Sequence, residues 1–181
     1  SHASYFQGLS WWEYLYTVLA PAMTGNGVSD EDTRKLLPIF RETYLDMRYW
    51  YLFADTARTL EKAVAFGYAN YILSNHVPEL QMIVDGLGLT AYFRQVITSA
   101  ELGYEKPNPN AFQAVLKQLG PNDTVCMIGD NYTADVLGAR VCGMDAILVR
   151  GNNSNGYARH ADDLDGIWQY LNEPKVVAAD E

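Results

Sequence analysis

The spacing of apolar residues changes character once along this chain, near Ala54-Asp55, and the change predicts two units. Within residues 9–23 the run WWEYLYTVLAPAM is apolar on most sides, which predicts a helix packed against others, closed by Thr24-Gly25-Asn26-Gly27. A second helix starts at Ser29, where Asp32 three residues on gives capping-box character and acids fill the first turn. Leu36, Leu37, Phe40, Tyr44, Leu45 and Met47 carry it at helical spacing to about residue 50, with Pro38 as an expected kink. Residues 1–52 therefore read as a small all-helical unit.

Beyond Asp55 helices alternate with short apolar runs. Helices are predicted over 56–66, 78–87, 109–119, 134–141 and 164–171, and strands over 68–73, 95–98, 124–128 and 146–149. Gly67, Gly88, Gly120 and Gly143 close four of the helices, as left-handed caps do. The alternation predicts an α/β unit over residues 53–173, a parallel sheet with helices on both faces, followed by a frayed tail over 174–181. In such sheets ligands bind at the carboxyl ends of the strands.

Composition narrows the function. With 49% hydrophobic and 19% charged residues, the 181-residue chain is globular and not disordered. Its net charge of −9 repels nucleic acid and anionic lipid, so neither is an expected partner. Cys126 and Cys142 fall in no metal or redox spacing and read as buried, reduced thiols of a cytoplasmic protein. No membrane span and no signal peptide is legible. Ser1 in place of Met points to processing or to a start inside a longer chain, and Tyr5-Phe6-Gln7-Gly8 reads as a native helix start.

Three polar clusters fall at predicted strand ends. Ser74-Asn75 follows Tyr-Ile-Leu and precedes a helix, which suits either a helix cap or a cradle for an oxyanion. In Glu105-Lys106-Pro107-Asn108-Pro109, two prolines stiffen a turn that presents Lys106, either to solvent or to a phosphoryl group. In Gly129-Asp130-Asn131-Tyr132-Thr133-Ala134-Asp135, two carboxylates converge on one loop, as helix caps or as ligands of a hard divalent cation.

In this order the clusters resemble the second, third and fourth motifs of the haloacid-dehalogenase-like (HAD) hydrolase superfamily, over roughly residues 49–171. The resemblance implies a Rossmann-like core carrying a helical cap, here residues 1–52, incomplete at its N-terminus. It also implies that Ser74, with Asn75, binds the transferring phosphoryl group, that Lys106 stabilises it, that Asp130 ligates Mg²⁺ and that Asp135 supports the metal site. Gly129-Asp130 followed by a further Asp is similar to the Mg²⁺-dependent phosphatases of the family and not to its dehalogenases. The implied activity is hydrolysis of a small phosphorylated metabolite through an aspartyl-phosphate, by a monomer or homodimer. A catalytically inactive binding module and a phosphomutase of the same fold are the alternatives. Tyr5, Phe6, Trp11, Trp12, Tyr14 and Tyr16 are candidates for substrate contact or for helix packing, and His76 reads as a loop histidine outside the catalytic set.

The family's first motif, a strand ending in Asp-x-Asp whose first Asp is the nucleophile, is not found. Asp30-Glu31-Asp32-Thr33 and Asp163-Leu164-Asp165-Gly166 have suitable letters, but no apolar strand precedes either. In the family that strand lies between those ending at Ser74 and Asp130, so its absence leaves a gap of roughly 10 Å. The expectation is that the nucleophile strand comes from residues upstream of Ser1 or from another chain.

Overall fold

The structure is a computed structural model, and it describes residues 10–120 and 122–171. The expected tail over 174–181, the start at Tyr5-Phe6-Gln7-Gly8 and the candidate aromatics Tyr5 and Phe6 lie outside the described residues.

Helix α1 (Trp11–Gly25) opens with a reciprocal cap: the Ser10 hydroxyl accepts from Glu13 N–H at 3.3 Å, and the Glu13 carboxylate accepts from Ser10 N–H at 2.7 Å. Helix α2 (Asp30–Leu45) begins as anticipated, with the Ser29 hydroxyl accepting from Asp32 N–H at 3.0 Å, and continues through Pro38. It stops at Leu45, short of residue 50. The Asp46 carboxylate accepts from Arg48 N–H at 3.0 Å and starts a separate 3₁₀ turn, Met47–Tyr49, while Trp50 Nε1 donates to the Tyr44 carbonyl at 2.7 Å. A polar side chain and an indole thus satisfy backbone groups that one more helical turn would have paired.

The second unit runs α3 (Thr56–Ala65), β1 (Asn70–Ser74), α4 (Leu80–Gly86), β2 (Phe93–Thr98), α5 (Ser99–Leu102), α6 (Pro109–Leu116), β3 (Cys126–Gly129), a π-helical segment (Tyr132–Leu137), α7 (Gly138–Val141), β4 (Asp145–Val149), β5 (His160–Ala161) and a 3₁₀ turn (Asp165–Gln169). Three expectations are corrected. The helix over 109–119 ends at Leu116, and Gly120 is not left-handed as Gly67, Gly88 and Gly143 are. The predicted closing helix is only the 3₁₀ turn Asp165–Gln169. Strand β5 has two residues, too few to produce a period.

All pairing is parallel, in two separate sheets: β1 with β2, ending at Ser74 opposite Thr98, and β3-β4-β5, with β4 central. No ladder joins β1 to β3, the two strands that were expected to flank a missing one. Packing bridges them instead. Fully buried Phe112 of α6, with Val136, Ala139, Ala146 and Leu148, forms a core against which Leu73 of β1 and Met127 of β3 both pack. Along β4, Ala146 and Leu148 enter this cluster while Ile147 and Val149 face Ile167 and Trp168, so the strand is covered on both faces. The architecture is therefore α/β, with parallel sheets and a helical appendage.

A third cluster, Val77, Leu80, Ile83, Val84 and Leu89, receives Trp11, Trp12, Tyr44, Met47 and Trp50 from the helical unit. Polar contacts register the junction. Trp12 Nε1 and Arg41 Nε donate to Glu79 at 3.2 and 3.0 Å, and Tyr44 Oη lies 2.9 Å from His76 Nε2. Trp11 and Trp12 are thus packing residues, and Tyr16 donates to Asp30.

Two outcomes follow from this packing. Phe112→Ala removes the ring that bridges both sheets and should destabilise the protein by about 3–5 kcal/mol in urea unfolding. Burial lowers the His76 imidazole below its ordinary value of 6.5. Unfolding then takes up a proton, so the His76 contribution is whole above 6.5 and shrinks as pH falls through 6.5 to the lowered folded value. Urea midpoints compared at about pH 7.5 and about pH 5.5 should fall more steeply for the native protein than for His76→Gln.

Candidate active site at the carboxyl edge

Each predicted site residue lies at the carboxyl end of a strand or in the connection that follows it. Ser74 is the last residue of β1 and is half-buried. Asn75 follows it and braces the neighbouring turn: its Nδ2 donates to the Lys106 carbonyl at 2.9 Å and its Oδ1 accepts from Lys106 N–H at 2.7 Å. This two-point clamp joins the β1 turn to the loop after α5. It had no sequence signal, because its partners lie 31 residues apart. The peptide between Lys106 and Pro107 is cis, and Asn108 caps α6 with Pro109 at its first position, as anticipated.

The clamp presents Lys106 inward. Its Nζ meets Asp135 Oδ1 at 2.6 Å, with the two side chains only 9% and 5% exposed. Asp135 Oδ2 accepts from Asn131 N–H at 3.0 Å, so both of its oxygens are engaged. The bonds around Asn131 also explain why residues 132–137 are π-helical where an α-helix was predicted. Asn131 Oδ1 caps Ala134 N–H at 2.8 Å, and the Asn131 carbonyl accepts from Asp135 N–H at 2.8 Å and from Val136 N–H at 3.4 Å, which widens the turn. Asp135 lies against the strand end, and Gly129 is required there: a Cβ at 129 would overlap the Asp135 carboxylate.

Asp130 is exposed, and among the described residues its carboxylate has no hydrogen-bond or ion-pair partner. Among the described residues no group of three or more His, Cys, Asp or Glu side chains could hold a metal. The donor set therefore fits Mg²⁺ in part only. Asp130 is one available carboxylate, and a hard cation of this kind is commonly held by one or two carboxylates with water and substrate phosphate. Asp135, with both oxygens engaged, orients Lys106 and the loop and does not complete a ligand set.

The two Asp-x-Asp look-alikes are occupied elsewhere. Asp30 pairs with Arg34 at 3.1 Å on the exposed face of α2, and Asp165 accepts from Thr59 at 2.9 Å and pairs with Arg58. Cys126 and Cys142 are free thiols but half-buried, not buried as expected. Burial pushes the Cys126 thiol up to about 11 and raises that of Cys142. No described helix is long and apolar enough to cross a membrane.

Residues 8–143 match the family of haloacid dehalogenase-like hydrolases. The chain is 33% identical over 125 residues to human haloacid dehalogenase-like hydrolase domain-containing protein 3, covering 67% of this chain and 50% of that protein. It is 34% identical over 134 residues to a phosphoserine phosphatase of Thermus thermophilus, covering 73% of this chain and 53% of that enzyme. It thus spans about half the length of these relatives. In fold it resembles a HAD phosphatase from Thermococcus onnurineus, with a TM-score of 0.67 at 24% identity over 92% of this chain and 83% of the other. With the three ordered motifs following parallel strands and a match across most of its residues, the chain belongs to the haloacid dehalogenase-like hydrolase family.

Proposed function

We propose that this chain is part of a Mg²⁺-dependent phosphomonoester hydrolase acting on a small phosphorylated metabolite. The observation that carries the reading is the buried Lys106–Asp135 pair at the carboxyl edge, with an Asp130 carboxylate unpartnered among the described residues and no ladder joining β1 to β3. The similarity to a phosphoserine phosphatase supports a small phosphorylated substrate.

In this reading residues 1–52 form part of a cap, residues 53–173 the catalytic core and residues 174–181 a tail. The nucleophile is an aspartate on a strand that pairs with the facing edges of β1 and β3, supplied upstream of Ser1 or by another chain. Its carboxylate attacks phosphorus, the alcohol leaves, and water hydrolyses the resulting aspartyl-phosphate. The Ser74 hydroxyl and the backbone at Asn75 hold the phosphoryl oxygens. Lys106, oriented by Asp135, offsets their charge with an ammonium that still has donors to give. Asp130 would hold Mg²⁺ on this chain, and the bound ion would further neutralise the phosphoryl oxygens. The free thiols support a reducing compartment, and we place the protein in the cytoplasm as a monomer or homodimer.

The test is phosphate release from p-nitrophenyl phosphate by the full-length product with and without Mg²⁺. Turnover should require the metal, and no turnover by protein carrying a complete first motif refutes the enzyme reading in favour of an inactive binding module. Lys106→Ala should lower kcat by about 10²–10³-fold in protein that still melts cooperatively. Asp135→Ala leaves Lys106 buried without its counter-charge and should cost about 3–5 kcal/mol of stability in addition to activity. Gly129→Ala should lose both in the same way, because the added methyl displaces Asp135, whereas Gly25→Ala, in open space, should lose neither.

A further inference from the structure

Arg150 is the single non-glycine with a left-handed backbone among the described residues, at φ 58°. A side chain in that region is strained, and such strain persists only where surroundings over-determine it. Here three contacts do so. The guanidinium grips both carboxylate oxygens of Asp55, its carbon lies 4.2 Å from the centroid of the Phe53 ring, and Arg150 N–H donates to the Ala161 carbonyl at 3.0 Å. Asp55 is itself 5% exposed and accepts from Leu164 N–H at 2.7 Å.

The left-handed turn has a local result. Gly151 N–H closes back onto the Val149 carbonyl at 2.6 Å, and the turn brings Gly151 against the backbone of Asp130. A Cβ on Gly151 would overlap the Asp130 carbonyl oxygen and stand 2.8 Å from its carbon. The backbone that presents the Asp130 carboxylate therefore rests on the turn that Arg150 holds. Asp55 lies in the stretch joining the helical unit to α3, 95 residues from Arg150 in sequence.

We propose that Asp55 and Arg150 are positioning residues for the active site: their ion pair locks the turn at 150–151 and through it sets the backbone of the Asp130 loop. The proposal rests on the reading of Asp130 as the residue that holds the cation. A purely structural staple would lower stability and nothing else, whereas a positioning pair also governs cation affinity and the order of the loop.

The test uses the full-length protein with Mg²⁺ and p-nitrophenyl phosphate, together with amide hydrogen exchange. Arg150→Ala and Asp55→Asn should raise the Mg²⁺ concentration for half-maximal activity by about 10–100-fold, the cost typical of losing a residue that orients a metal ligand. They should also accelerate exchange at the Gly151 and Asn131 amides. Arg150→Gly keeps a residue at ease in the left-handed turn and should lose less than Arg150→Ala. Arg58→Ala breaks the neighbouring exposed pair with Asp165 and should leave Mg²⁺ dependence and loop exchange at native values. Native Mg²⁺ dependence and exchange in folded Arg150→Ala and Asp55→Asn overturn the proposal. So does an Arg58→Ala variant that behaves like them, or failure of every Arg150 and Asp55 variant to fold. If the native protein has no turnover, the functional reading fails, and loop exchange in the variants still decides the positioning role.

Discussion

An ammonium withdrawn from water persists only beside a carboxylate that is itself held in place. Lys106 and Asp135 meet that condition across the division of this fold. Lys106 stands on the loop that follows β2 and α5, and Asp135 follows β3, so their ion pair links the β1–β2 sheet to the β3–β4–β5 sheet where no backbone ladder does. The Asn75 clamp fixes the lysine from one side, and Asn131 N–H fixes the aspartate from the other. Beneath this polar bridge lies the apolar one, Phe112 with Leu73 and Met127 around it.

The same constraint explains several local departures from regular structure. Asp135 needs room beside the end of β3, which dictates glycine at 129, and it needs to reach back to Asn131 N–H, which accompanies the widened turn over Tyr132–Leu137. Gly151 packs on the Asp130 backbone for the same reason of close approach. The carboxyl edge is thus crowded with backbone, and the Asp130 carboxylate stands there free of side-chain partners among the described residues. Charge stabilisation at such an edge depends on groups held in place before substrate arrives.

The helical unit is attached by a different chemistry. Trp12, Tyr44 and Trp50 pack on the cluster beneath α4, with Glu79 and His76 as polar pins. These contacts fall on the turn and helix that follow Ser74-Asn75, so any shift of α1 and α2 is felt next to that turn. Two of the four aromatics of the first helix, Trp11 and Trp12, are consumed in this junction, as amphipathic rings with one polar atom suit a half-buried seam.

The residue pattern alone determined the alternation of helices and strands, the caps at Ser29 and Asn108, and the order of Ser74, Lys106, Asp130 and Asp135 in the segments that follow the strands, because each depends on neighbours within a few residues. The expectation of a missing strand came from the family resemblance, and the structure leaves β1 and β3 in separate sheets with no ladder between them. The tertiary structure decided which carboxylate was spoken for and which was not. It paired Asp135 with Lys106 29 positions away, Asn75 with Lys106 across 31, and Asp55 with Arg150 across 95. Such partnerships leave no periodicity in the chain, because they are selected by where loops converge and not by what stands beside each residue.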